Sequence, residues 1–461
     1  MASAAGCTGD GSPEPPEPEP TQAGATARSQ QTAAEAPAAE VEGSTQGGTI
    51  TVRAATAPTT FDPTRVSSHQ TEAILTNLVT RSLTQYQYDP ATKQMVLVPD
   101  MATGLGRPNA NFTRWTFTLR AGLKYETGAP VQATDVAYAI KRSFATDELP
   151  GGPTYNKRLY TGGEAYDGPY EDGPDLKGIE VDGRSITIKL RRPFADMPYL
   201  ASSPQYTAIP AAADNPSEDY GNHPLATGPY KFAGYHPGSG LTLVRNPYWD
   251  PATDTTRHQY VDRWKFRWGA QAAATDKQLL TDDGAAQTSL SYDNVAPDLY
   301  DEAKQQAEDR LVTGTRPCTH MWYLDTRKIR SVKVRKAIGY AYPYRAAWRA
   351  AGEIAGVTRL PGTTILPPGT AGRVAYDPLG TKGVETDTAR ARTLLRKAGK
   401  TGYEVRFPFR SDTPSGVAAK NRIVGALESA GFKATPIATT EGQHRKQVAG
   451  RDSRQNVRAQ T

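Results

Sequence analysis

Side-chain catalysis needs an activated nucleophile, a positioned acid–base pair or a set of metal ligands. The residue types that supply these are sparse here: six histidines and two cysteines among 461 residues. His69, His223, His236, His258, His320 and His444 are scattered, and none forms a close metal-ligand pair. Cys7 and Cys318 are too few for a disulfide scaffold or for most zinc sites. Neither a G-x-S-x-G elbow nor an H-E-x-x-H pair occurs, so a secreted peptidase, one reading of the chain, has no visible machinery. The sequence predicts no enzyme, no cofactor and no bound metal.

The formal net charge of +6 reads as a solvated, arginine-rich surface. A nucleic-acid partner is not expected, because no basic stripe carries interleaved aromatics and no Cys/His finger is present. At this length one core does not suffice, so two or three domains are expected. No run reaches the roughly 18 apolar residues that span a bilayer, so the chain is expected to be soluble or peripherally tethered.

Near the N-terminus, Ala4-Ala5-Gly6-Cys7 is similar to a bacterial lipobox, in which small residues precede a cysteine that receives a lipid. No basic or apolar leader lies upstream, so the expectation is a signal peptide missing from the sequence as it stands. Residues 8–48 are rich in Pro, Glu, Ala, Thr, Ser and Gly and cannot bury enough apolar area to offset the entropy of folding. Residues 1–48 therefore read as a disordered tether that would hold a folded body off a membrane.

The elements of that body follow from periodicity. Thr49–Arg53 alternates as a strand, and Ile74, Leu75, Leu78 and Val79 share a helical face. Trp115, Phe117 and Leu119 alternate with Thr116, Thr118 and Arg120, a half-buried strand. Thr134 reads as the N-cap of a helix with the stripe Val136, Ala139, Ile140 and Phe144. Residues 178–190 read as a hairpin turning at Asp182-Gly183. Residues 227–232 pair with 241–246, and Trp264, Phe266 and Trp268 mark a further strand. Beyond 310 come longer α/β units: a helix early in 331–348 with Val334, Ala337 and Ile338 on one face, helices over 387–398 and 417–430, and strands over 403–409 and 432–437.

Five motifs in this order resemble those of the family 5 extracellular solute-binding proteins, the peptide and nickel receptors of ABC importers. Arg114–Arg142 (RWTFTLRAGLKYETGAPVQATDVAYAIKR) is similar to the family signature of strand, glycine turn and capped helix, and Leu97–Ala102 to the element before it. Ala226–Phe232 with Arg245–Trp249 resembles the GTGPY and RNPxYW pair. Val332–Ile338 is similar to the VRxAI helix start, and Leu366–Thr370 to the PPGT turn.

The resemblance implies a mixed α/β, bilobed periplasmic-binding-protein-like fold. Lobe I would comprise 49–80 and 187–268, with a small domain inserted at 81–186. Lobe II would run over 269–450, with 451–461 a tail outside the fold. The resemblance also implies truncation at the C-terminus, an incomplete second lobe, and a Cys318 deprived of a partner cysteine that some relatives carry. Function would be capture of an oligopeptide or similar small solute in an interlobe cleft, as a monomer, with delivery to ABC permease and ATPase subunits. A peptide-sensing receptor without transport is the alternative. Ser68 and His69 would make polar contacts, and Tyr155 and Trp322, with His320 alongside, would line the ligand. Cys7 would carry the lipid. The 23 tyrosines suit a peptide, nickel chelate, sugar or siderophore-like ligand equally.

Overall fold

The computed structural model describes residues 36–89, 94–215, 219–314, 319–367, 373–374, 376–440 and 457–460. Contacts divide the chain into two units, one within 28–313 and the other within 314–461. Cys7 and Cys318 lie outside the described residues.

The first unit contains, in chain order, β1 (Thr49–Ala54), α1 (His69–Ile74, continued by a π turn over Leu75–Val79), β2 (Thr84–Asp89), β3 (Gln94–Pro99) and β4 (Arg107–Pro108). Then come β5 (Arg114–Thr118), α2 (Ala133–Arg142), α3 (Tyr155–Leu159), β6 (Ile179–Asp182) and β7 (Ser185–Lys189). It continues with β8 (Tyr230–His236), β9 (Gly240–Arg245), β10 (Arg263–Trp268), α4 (Ala272–Leu280) and β11 (Ser289–Ser291).

Alternation decides which way each strand faces. In the sheet β11-β1-β10-β9-β8, β1 runs parallel to both neighbours and β10, β9 and β8 are antiparallel. Val52 sits opposite Phe266, and Phe266 opposite Leu241. That register puts the apolar set on one face, where Phe61, Ile74, Leu75 and Val79 cover it. Residues 269–313, expected to open the second lobe, contribute β11 to this sheet. A second sheet, β4-β5-β7-β6, buries Trp115, Phe117, Ile186 and Ile188 against Val136, Ile140 and Phe144, the stripe of α2.

Two buried charge clusters tie distant segments together. In one, the Asp100 carboxylate accepts from Arg81 Nε and Arg257 Nη2, each at 2.8 Å. Asp254 lies 3.5 Å from Arg81 and 3.2 Å from Arg257. Burial alone would raise the Asp254 pKa, but the two guanidiniums outweigh it and hold the group well below the usual carboxylate range. Asp100 belongs to the Leu97–Ala102 motif, and Trp249, which closes the Arg245–Trp249 motif, donates to Asp254 at 3.0 Å. Both motifs therefore act in the fold.

In the second unit, β12 (Met321–Leu324), α5 (Val332–Ala341), α6 (Tyr344–Ala350), α7 (Thr388–Lys397), β13 (Glu404–Arg410), α8 (Pro414–Ser429), β14 (Lys433–Thr439) and β15 (Val457–Gln460) follow in order. The parallel pair β13–β14 packs Val405 and Phe407 against Leu395 of α7 and Leu427 of α8.

Two further expectations need correction. The α2 cap is Gln132, not Thr134, because Asp135 reaches back to accept the Gln132 N–H at 2.9 Å and completes a capping box. The helix expected early in 331–348 is α5, and α6 follows after a break at Tyr342-Pro343, since proline lacks the N–H that would continue the first. The final residues are not all outside the fold: β15 pairs antiparallel with β12 and Val457 is fully buried. Strand pairing runs through backbone groups, so one apolar anchor suffices and no periodic pattern need appear.

Candidate functional site

The sequence places Ser68 and His69 after β1 and Tyr155 in a loop some ninety positions on, and the fold sutures those two loops together. Asp62 shapes the first: its Oδ1 accepts the Thr64 N–H at 2.9 Å, an Asx-type turn. Gln205 then bridges the loops, its Nε2 donating to Thr64 O at 3.3 Å and to Pro153 O at 2.8 Å. Arg65 Nε donates to Pro150 O at 3.4 Å. The approach is close enough to require glycine at 152, where a Cβ would stand 2.0 Å from Thr64 O.

Beneath the loops lies the second buried charge cluster. Arg142, the last residue of α2, donates to Asp62 through Nη1 at 2.6 Å and Nη2 at 2.9 Å, and to Asp214 through Nε at 2.8 Å. Burial opposes the Arg142 charge, but the two carboxylates outweigh it and raise its pKa above the ordinary value. Tyr138 and Tyr170 also donate to Asp214 Oδ2. Burial, reinforced by Asp214, pushes the Tyr138 hydroxyl up to about 12. A bidentate arginine of this kind fixes geometry as well as charge. The cluster positions both loops and offers no nucleophile or accessible base.

On this support the expected residues are disposed unequally. Ser68 caps α1: its Oγ accepts the Thr71 N–H at 3.3 Å and lies 2.8 Å from Thr71 Oγ1. His69 is exposed, with Nδ1 3.6 Å from Glu72. Tyr155 is 62% exposed. Its neighbour Asn156 is buried and fastens α3 by donating to Ser143 Oγ and accepting from Tyr206. Ser68, His69 and Tyr155 thus stand where the two joined loops run into α1 and α3, in one unit. In the other unit His320 is exposed and precedes β12. Trp322 packs inward, edge-on to Tyr342 at 4.9 Å and tilted on Phe407 at 5.0 Å.

The hollow beside the paired loops, lined by Thr64, Ser143, Thr146, Leu149 and Gly152, has a volume of about 90 Å³. That admits a few waters, whereas small-molecule pockets run to several hundred Å³. An open recess of about 340 Å³ lies elsewhere, at Asn109, Thr113, Arg114 and Lys189. Asn109 Oδ1 there already accepts the Thr113 and Arg114 N–H groups, so it serves the turn. One further contact joins the signature turn to the segment that leads into β8: His223 Nε2 meets Glu126 Oε1 at 2.6 Å. The hydrogen bond to Glu126 raises the His223 pKa against the opposing effect of burial. Sequence reasoning missed Arg142, Asp214, Glu126 and His223. Arg142 and Glu126 carried a signal, as members of the Arg114–Arg142 motif.

Residues 96–457 match the profile described as "Bacterial extracellular solute-binding proteins, family 5 Middle". The glutathione-binding protein of Salmonella choleraesuis is 25% identical over 363 residues, covering 74% of this chain and 61% of the relative. The periplasmic oligopeptide-binding protein of Salmonella typhimurium is 24% identical over 305 residues, covering 64% of this chain and 53% of that one. The chain therefore spans between half and two thirds of these relatives' length. Among solved structures, clavulanic acid biosynthesis oligopeptide binding protein 2 superposes with a TM-score of 0.76 at 27% identity, over 96% of this chain and 80% of that one. The Escherichia coli murein tripeptide binding protein gives 0.70 at 17% identity, over 90% and 79%.

Proposed function

The chain belongs to the bacterial extracellular solute-binding proteins of family 5, and on that premise we propose that it is the substrate-binding component of an ABC importer. It captures an oligopeptide or similar small solute and hands it to a membrane permease. The observation that carries this reading is the family match through residues 96–457, together with a fold shared over 96% of the chain with an oligopeptide-binding protein. We assign it no catalytic role, in keeping with the solute-binding names of its relatives.

We assign polar ligand contacts to Ser68 and His69, and apolar contacts to Tyr155 and Trp322, with His320 beside the latter. The exposed ring of Tyr155 and the exposed imidazole of His69, on loops fixed by Gln205 and Arg142, support the first part of this assignment. Residues 81–186 form the inserted small domain in this reading. Cys7 carries a lipid that holds the protein at the outer face of the cytoplasmic membrane. Among the described residues no helix is long and apolar enough to cross a membrane.

Thermal unfolding of the purified chain with and without a di- to pentapeptide pool, and with glutathione as a defined probe, tests the reading. A ligand that binds only the native state at 100 times its Kd adds about 2.7 kcal/mol. A rise of several degrees with either probe is expected. A cooperative transition that neither moves would exclude peptide capture. Incorporation of radiolabelled palmitate, lost in Cys7→Ser, tests the anchor separately.

A further inference from the structure

The face of the five-stranded sheet that points away from the Phe61 core is basic and carries no carboxylate. Register defines its members. Thr49 lies opposite Arg263, Thr51 opposite Lys265 and Arg53 opposite Arg267 across β1 and β10. The rows continue through Val244, Thr242 and Gly240 of β9 to Lys231, Gly234 and His236 of β8. On β11 the same face presents Ser289 and Ser291. Five cations thus share one surface: Arg53, Lys231, Arg263, Lys265 and Arg267.

None of the five makes an ion pair with a described carboxylate, although most other buried or half-buried arginines of this unit do. Arg53 Nε is buried without a hydrogen-bond partner among the described residues. Arg263 and Arg267 are exposed, and Lys231, Lys265 and Arg53 half-buried. The Arg267 guanidinium lies across Gly240, where a Cβ would approach its Nη1 to 2.7 Å. Glycine there lets the guanidinium lie flat on the sheet.

Strands stand about 4.8 Å apart and alternate residues roughly 6.7 Å apart, so these charges form a two-dimensional array in which each lies within about one Debye length of at least one other. Like charges so placed repel unless an external anion neutralises them. A single acidic polypeptide would be matched by a line of cations, and a single-stranded nucleic acid by aromatic platforms, which these rows lack. A planar array of phosphates matches both the shape and the sign.

The geometry points to this face as a docking surface for an anionic phospholipid membrane, its guanidinium and ammonium groups resting on headgroup phosphates. The contact would orient the body on the bilayer and does not depend on which solute the protein carries.

The test uses the full chain with Cys7→Ser, so that no lipid contributes, and co-sedimentation with phosphatidylglycerol-containing or pure phosphatidylcholine vesicles. Binding to the anionic vesicles alone is expected, with release when salt shortens the Debye length to about 3 Å. The triple variant Arg263→Gln/Lys265→Gln/Arg267→Gln should lower the partition coefficient on the order of 100-fold, since each cation contributes roughly fivefold. The dispersed control Arg107→Gln/Arg345→Gln/Lys400→Gln, with the same net charge, should bind like the parent. Thermal unfolding checks that both variants fold. Should the triple variant not fold, Lys231→Gln/Arg263→Gln at the rim carries the test, with a loss of roughly 25-fold expected. Failure of the parent to sediment at low salt, or equal binding by the face variant and the control, would overturn the proposal. So would capture of polyglutamate in preference to vesicles, which would make the face a site for acidic polypeptides.

Discussion

Asp100→Asn should be among the most damaging single changes in the first unit, although it is nearly isosteric. The carboxylate receives Arg81 and Arg257 at 2.8 Å each, with no solvent exposure. At an effective dielectric near 20, each such pair is worth about 4 kcal/mol of gross attraction. Removing the charge forfeits about twice that. It also recovers several kcal/mol of carboxylate desolvation and relieves repulsion from Asp254. The remainder is the loss of about 3–5 kcal/mol expected when one member of a buried pair is deleted, because two guanidiniums are left facing one carboxylate. Urea unfolding followed by tryptophan fluorescence reads this directly, since the Trp249 indole is hydrogen-bonded to Asp254 within the cluster. The double variant Asp100→Asn/Arg81→Gln restores charge balance. It should therefore cost clearly less than the sum of its singles, by more than about 1 kcal/mol. A single-variant loss below about 1 kcal/mol, or strict additivity in the double, would refute the account of a charge-balanced buried cluster.

Three further outcomes are expected. Gly152→Ala drives a Cβ to within 2.0 Å of Thr64 O, so the two loops must part; a loss of about 1–3 kcal/mol in thermal unfolding is predicted, together with a smaller peptide-induced shift. Trp322→Ala empties the space between Tyr342 and Phe407 and should cost the second unit about 3–5 kcal/mol, measured by denaturant titration without any ligand. Because the His223 pKa is raised by Glu126, its contribution is complete below the unfolded value near 6.5 and fades as pH rises through the folded pKa. The imidazole is half exposed and Lys231 opposes its charge, so the effect is a few tenths of a kcal/mol. The melting-temperature advantage of the parent over His223→Gln should be larger at pH 5.5 than at pH 8.5, and a constant difference would remove the pair from the stability balance.

Much of the fold was legible because alternation and helical stripes are local. Trp115 and Phe117 turned inward beside Thr116 and Thr118, and Val136 and Ile140 lined one side of α2. The Asp182-Gly183 hairpin closed with Asp182 opposite Ser185. The Thr134 cap failed because capping was settled by one side chain, Asp135, reaching back three positions. The site was less legible. No local pattern announced that Ser68 also caps α1 or that Trp322 also packs against the second core.

By itself the sequence determined the class of protein, the order of its motifs and the inward side of most strands. These depend on residue type and short-range spacing, which chemistry imposes wherever the segment ends up. Only tertiary structure decided the partners of the buried charges. Arg142 meets Asp62 and Asp214 across 80 and 72 positions, and Arg257 meets Asp100 across 157. It also decided that cations from β1, β8 and β10 share one face. Charges attract or repel through space and not along the chain, so their pairing follows from where strands and loops are brought together, which no local pattern records.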